Sequence, residues 1–177
     1  LSAERVWHEL KRLLAAPAPV RAILWIRTAG VLDVVLPESS KWGTDLIPRL
    51  VAVERQLGWK PDHLLRLMAI IPPREDVVKT LAERLKLSNA EGSRLSAWAK
   101  AALPDAATST DELEKLLYRG HPSAILDRLK LERAERFLAR YEAGGIFFAR
   151  LLPVVRHLIS IPAGIVRMPF GIFSAMT

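Results

Sequence analysis

Apolar residues recur at helical spacing through the first three quarters of the chain. Val6, Leu10, Leu13 and Leu14 fall at i, i+4, i+7 and i+8, one face of a helix that Ser2 can cap. Pro17 and Pro19 predict its end. The pattern then predicts a second helix over about Val20–Ala29 that stops at Gly30, and a short one reaching Pro37. Residues 38–48 read as a loop. Helices follow over Arg49–Leu57 and from Pro61, which suits a first helical position, through Ile71. Pro72 and Pro73 reset the chain before a helix to about Leu87. Ser88-Asn89-Ala90-Glu91 and Ser109-Thr110-Asp111-Glu112 both have the form of a capping box, and Gly120 can close the second of these helices. A long amphipathic helix is expected from Pro122 to Ala143. No alternation of period two competes with these readings, so the expected fold class is all-α, a helical array.

The remainder is patterned differently. Gly144-Gly145 predict a break, and Pro153, Pro162 and Pro169 interrupt the apolar segment beyond it. Such a segment is not one straight helix. Short helical pieces in a membrane interface and a re-entrant hairpin are two solutions. Docking of Phe147, Phe148, Leu151, Leu152, Ile159 and Phe170 onto the helical array is a third, and it would keep them out of water.

Composition sharpens this division. All five phenylalanines lie at or beyond Phe137, and all five tryptophans lie at or before Trp98. Beyond Glu142 the charges are Arg150, Arg156 and Arg167 alone. The net charge of +7 suits a polyanionic partner, either nucleic acid or an anionic membrane surface. With no cysteine, disulfides, thiolate metal sites and a cysteine nucleophile are excluded. No uncharged apolar run reaches the roughly 18 residues of a complete transmembrane helix. The first residue is Leu1, and no signal-peptide pattern follows it, so the chain is expected to begin inside a longer reading frame.

Little in the chain suggests catalysis. Asp62-His63 resembles a metal-binding pair, but only His8, His121 and His157 remain as further histidines. Asp62 reads instead as a first-turn acid that favours the helix dipole, and so do Glu75 and Asp76 after the prolines. There is no Gly-rich phosphate loop and no GxSxG elbow. Catalytic and metal-ligating residues are therefore expected to be none. Trp7, Trp25 and Trp98 sit in amphipathic helices and are expected in the core or at its edge, although aromatics also stack on bases. Arg5, Lys11, Arg12, Arg84, Lys86 and Arg94 lie near predicted helix ends, where they can neutralise phosphates or serve as solvated surface charges.

Two family resemblances fall on different segments. Ser2-Ala3-Glu4-Arg5-Val6-Trp7-His8-Glu9-Leu10, followed by Lys11-Arg12-Leu13-Leu14, resembles the opening of the body region of bacterial CCA-adding tRNA nucleotidyltransferases and poly(A) polymerases. Gly30-Val31-Leu32 leading to Leu36-Pro37-Glu38, and Leu64-Leu65-Arg66-Leu67, are similar to later stretches of that body. The sharpest match is Ala82-Glu83-Arg84-Leu85-Lys86-Leu87-Ser88-Asn89; Leu117-Tyr118-Arg119 and Asp127-Arg128-Leu129 resemble its late part. The resemblance implies an α-helical body that holds tRNA-like RNA by its backbone while a separate head adds nucleotides. Neither a GS motif before a DxD pair nor a nucleotide-template motif is present. No cofactor is therefore expected in this chain, and Mg2+ belongs with the head.

Phe147-Phe148-Ala149-Arg150-Leu151-Leu152-Pro153-Val154-Val155-Arg156, then Ser160-Ile161-Pro162-Ala163-Gly164 and Met168-Pro169-Phe170, resemble the signature of DedA-type (VTT domain) membrane proteins. That resemblance implies lipid-phosphate or proton-coupled membrane transport. It assigns Arg150, Pro153 and Arg156 to a polar cavity where the paired arginines hold an anionic headgroup or a carboxylate; an intramembrane Arg is costly unless paired. Snorkelling or surface docking is the alternative for these arginines. The acidic residues and spans expected before the motif are absent, so transport by this chain alone is not expected.

The sequence thus predicts an RNA-binding helical body over residues 1–130 and an incomplete DedA-like apolar segment over 131–177, with a join between Leu129 and Phe137. The expected function is RNA binding, with tRNA or tRNA-like RNA as partner. The alternative is a membrane-associated DedA-like protein with the helical array as a soluble adapter. A helical interaction module with neither activity is a third reading. The expected location is the cytoplasm, with membrane association through residues 144–177.

Overall fold

A computed structural model describes residues 2–40, 44–102 and 121–151, with side chains through Phe137. All regular structure among the described residues is helical. The predicted helix at Ser109-Thr110-Asp111-Glu112 and the proline-interrupted tail lie outside them.

Helix α1 spans Ala3–Ala15, with the Ser2 hydroxyl accepting from the Arg5 amide at 3.4 Å. It buries Trp7, Leu10 and Leu14, while Val6 and Leu13 fall at the edge. The buried stripe is therefore rotated from the one its aliphatic spacing predicted, because the large Trp7 ring turns inward. Helices α2 (Val20–Thr28) and α3 (Val31–Val35) are joined through Gly30 at φ 71°, a left-handed conformation that glycine adopts without a Cβ clash. A 3-10 turn follows at Pro37–Ser39.

Helix α4 covers Leu46–Leu57, beginning three residues before the predicted Arg49. Pro48 is no obstacle there, because the first-turn amides have no intrahelical acceptor to lose. Helix α5 is shorter than predicted, at His63–Met68. Pro61 lies outside it; Asp62 takes the N-cap and accepts from the Leu64 and Leu65 amides at 2.9 and 3.3 Å. All residues from Leu64 to Ile71 are buried. An element apolar on nearly every side must lie centrally, and α1 and α7 both pack against α5.

Helices α6 (Glu75–Leu85) and α7 (Asn89–Lys100) form a hairpin. Lys86 closes α6 in a left-handed conformation at φ 51°, and the Leu87 amide bonds back to Ala82. The Ser88–Glu91 capping box is formed in both directions.

The last described helix, α8, runs from Pro122 to Leu151, so Gly144-Gly145 do not break it. Glycine costs about 1 kcal/mol in a helix interior, and it ends a helix only where the chain turns left-handed to satisfy the terminal carbonyls. The chain divides into two compact units, Leu1–Glu135 and Arg136–Thr177. Among the described residues no helix is long and apolar enough to cross a membrane.

Candidate nucleic-acid interface

The six basic residues proposed from sequence do not form one surface. Arg84 reaches from α6 to Glu38, with its Nη2 2.7 and 2.9 Å from the two carboxylate oxygens and its Nε 3.2 Å from one of them, and its Nη1 also donates to the Val35 carbonyl at 3.1 Å. Arg94 bridges Asp62 at 2.6 Å and Asp127 at 2.8 Å, tying α7 to the start of α5 and to α8. Such paired, planar contacts use the donors that a phosphate would need. The hydrogen bond and charge of Asp127, reinforced by Asp62, raise the Arg94 pKa against its burial, so the group stays charged.

Lys11 is also engaged. Its ammonium lies 2.7 Å from Glu91, which accepts from the Trp7 indole at 3.3 Å and from the Ser88 amide and hydroxyl at 3.1 and 2.8 Å. His63 Nε2 sits 3.4 Å from the same carboxylate, and the His63 ring is tilted against Trp7. Burial pushes the Glu91 carboxyl upward, but the hydrogen bonds from Lys11, Ser88 and Trp7 together outweigh it and bring its pKa to about 2. A carboxyl depressed on folding stabilises the protein above its unfolded value of 4.5, and that contribution is lost as pH falls toward about 2. Asp62, lowered by Arg94 and two backbone amides against its own burial, acts in the same direction. The thermal midpoint should therefore drop as acid is added across that window. In Glu91→Gln the midpoint should start lower at neutral pH and the slope should be shallower. An unchanged slope in a melting series would count against this assignment.

Three of the six remain outward. Arg5 is exposed and makes no ion pair among the described residues. Arg12 pairs loosely with Glu9 at 3.5 Å, and Lys86 with Glu4 at 3.2 Å, all four side chains being about two-thirds exposed. Surface pairs of this kind are worth little, so their cations remain available. Arg5 and Arg12 are seven residues apart, two turns along one stripe of α1 and roughly 10 Å of helix axis. The Lys86–Glu4 contact sets a third cation beside the start of that helix.

The tryptophans divide as well. Trp7 and Trp98 are buried, whereas Trp25, expected in the core or at its edge, is 69% exposed, with the Arg21 Cζ over its ring 5.7 Å from the centroid. Residues 22–26 form an unbroken apolar run, so periodicity could not say which side faces inward; Ile23 does. Sequence reasoning also missed Asp127 as the partner of Arg94, because only folding brings 33 residues of separation into contact. Of the predicted headgroup residues, Arg150 falls in the last turn of α8, while Pro153 and Arg156 lie outside the described residues.

Helices α1 to α3 coincide with a known segment: residues 1–42 match the family model described as "Probable RNA and SrmB- binding site of polymerase A". Residues 114–177 match the VTT domain. Two separate segments of the chain are thus similar to two different families. A 53-residue stretch, 30% of this chain, is 47% identical to Undecaprenyl phosphate transporter A of Bacillus subtilis (strain 168) and covers 27% of that protein. A 72-residue stretch, 39% of the chain, is 40% identical to the Alkaline phosphatase-like protein of Lactococcus lactis subsp. lactis (strain IL1403) and covers 33% of it. The chain thus spans a third or less of these relatives. No solved structure matches it.

Both resemblances read from the sequence hold, with altered extents. The VTT match begins at residue 114, upstream of the expected join, and so includes Asp127-Arg128-Leu129. Those residues are also structural members of the first unit. Ala124, Ile125, Leu131 and Ala134 are buried in it. Arg128 stacks on Trp98 at 5.3 Å and donates to the Trp98 carbonyl at 3.0 Å. The first turns of α8, which lie within the VTT-matched segment, therefore pack into the helical array.

Proposed function

We propose that the first unit binds RNA, tRNA or a tRNA-like fold, through backbone phosphates laid along the outer face of α1. The observation that carries this reading is the match of residues 1–42 to an RNA-binding segment, which contains Arg5 and Arg12, two of the cations left outward. Arg84, Arg94 and Lys11 serve the fold. In a gel-shift with tRNA, affinity should fall steeply between about 50 and 200 mM salt as counterions are released. The double substitution Arg5→Ala/Arg12→Ala should lower the log–log salt slope by about two and leave the melting temperature nearly unchanged. Absence of any shift at low salt would sink the proposal.

A second reading rests on the VTT match and on the 47% identity to a protein named for an undecaprenyl phosphate. In it the chain is membrane-associated through residues 144–177, with Arg150 and Arg156 facing a lipid phosphate. Flotation with anionic liposomes, lost on deletion of 144–177, supports this reading, and a chain that stays at the bottom of the gradient removes it.

A further inference from the structure

We infer that the Trp25–Arg21 stack on α2 is a docking point for an unpaired RNA base, which adds a single-strand contact to the phosphate-binding face of α1. Trp25 is the most exposed aromatic side chain among the described residues, in a protein whose Trp7 and Trp98 are fully packed. Arg21 lies over one face of the indole and has no carboxylate partner among the described residues. An aromatic plane in water beside an uncompensated cation complements a ligand that is flat, apolar on its faces and anionic along its edge, and an unpaired nucleotide has all three properties.

The neighbouring exposed side chains decide between this occupant and a lipid surface. Leu24 on α2 and Val31 and Val34 on α3 are also exposed, but so is Asp33, which lies between those two valines in the chain. An anionic bilayer broad enough to cover the exposed residues of both helices would also meet that carboxylate, which its charge repels. A single stacked base needs only the ring and Arg21. Both residues also lie inside the segment that matches an RNA-binding region. The inference rests on the RNA-binding reading above, and it can fail separately from it.

The test uses the full chain in one detergent, titrated with two RNAs: a blunt hairpin and the same hairpin with a short unpaired 3′ extension. Trp25→Ala should weaken binding of the extended RNA by roughly tenfold and leave the blunt hairpin unaffected, while Trp25→Phe retains most of the preference. Because the ring is largely exposed, the variant should melt like the parent. Equal loss for both RNAs, or loss for neither, overturns the stacking site and leaves phosphate binding by α1 standing. Failure of the unaltered chain to bind either RNA overturns both. If Trp25→Ala instead abolishes flotation with anionic vesicles while RNA affinity is intact, the patch belongs to lipid and the inference is wrong.

Discussion

Replacing Arg66 with alanine is expected to cost about 3–5 kcal/mol, the largest effect of any single substitution in the first unit. Arg66 stands on the central helix α5 with 1% of its surface exposed. Its Nε and Nη2 contact both oxygens of Glu54, the shortest at 2.6 Å, and its Nη1 donates to the Leu14 and Ala16 carbonyls at 2.6 Å each. Those carbonyls end α1, where the helix itself offers no donor. Removing the guanidinium leaves a buried carboxylate without a counterion and two carbonyls without a donor. Domains of this size hold together by only about 5–15 kcal/mol. A fall in the thermal midpoint of roughly 10–20 °C should follow, measured by circular dichroism. The double variant Arg66→Met/Glu54→Leu should recover part of the loss, because it removes the stranded charge, but not all of it, because the carbonyls stay unpaired. Full recovery would mean that the capping of α1 contributes nothing.

The second large effect concerns the part of the VTT match that lies within the first unit. A chain ending at residue 113, just before the VTT match, should lose cooperative unfolding, while one ending at residue 137 should keep it. The shorter chain lacks buried Ile125 and Leu131, worth roughly 1.5–3 kcal/mol each. It also strips Asp127 from Arg94 and the Arg128 cover from Trp98, and Lys130 from its place 5.5 Å over the Trp59 ring. Together these losses approach the whole stability of a small domain. Urea titration of the two truncations decides the point. A 1–113 chain that unfolds as sharply, and at nearly the same midpoint, as 1–137 would show that the start of α8 is an appendage.

Most helix positions were legible because they depend on local chemistry. The caps at Ser2 and Ser88 work within three residues of themselves, and each forms where the sequence places a suitable oxygen before free amides. Boundaries moved where a residue's meaning depended on its surroundings, as when Pro48 was admitted into a first turn and Gly144-Gly145 were carried through α8. The binding face was less legible. A basic residue reads identically whether it will meet a phosphate or a carboxylate, and nothing near Arg84 or Arg94 in the chain announces Glu38 or Asp127.

The sequence by itself therefore determined the all-helical class, the main helices with the caps at Ser2 and Ser88, and the resemblance of two segments to two families. These are encoded in period, in residues a turn apart, or in motifs that remain in order. The tertiary structure alone decided which cations are spent on internal carboxylates, that Trp25 faces outward, and that the first turns of α8 pack into the helical array. Each of those outcomes depends on contacts between residues far apart in the chain. Burial and pairing energies act there only after the helices have packed.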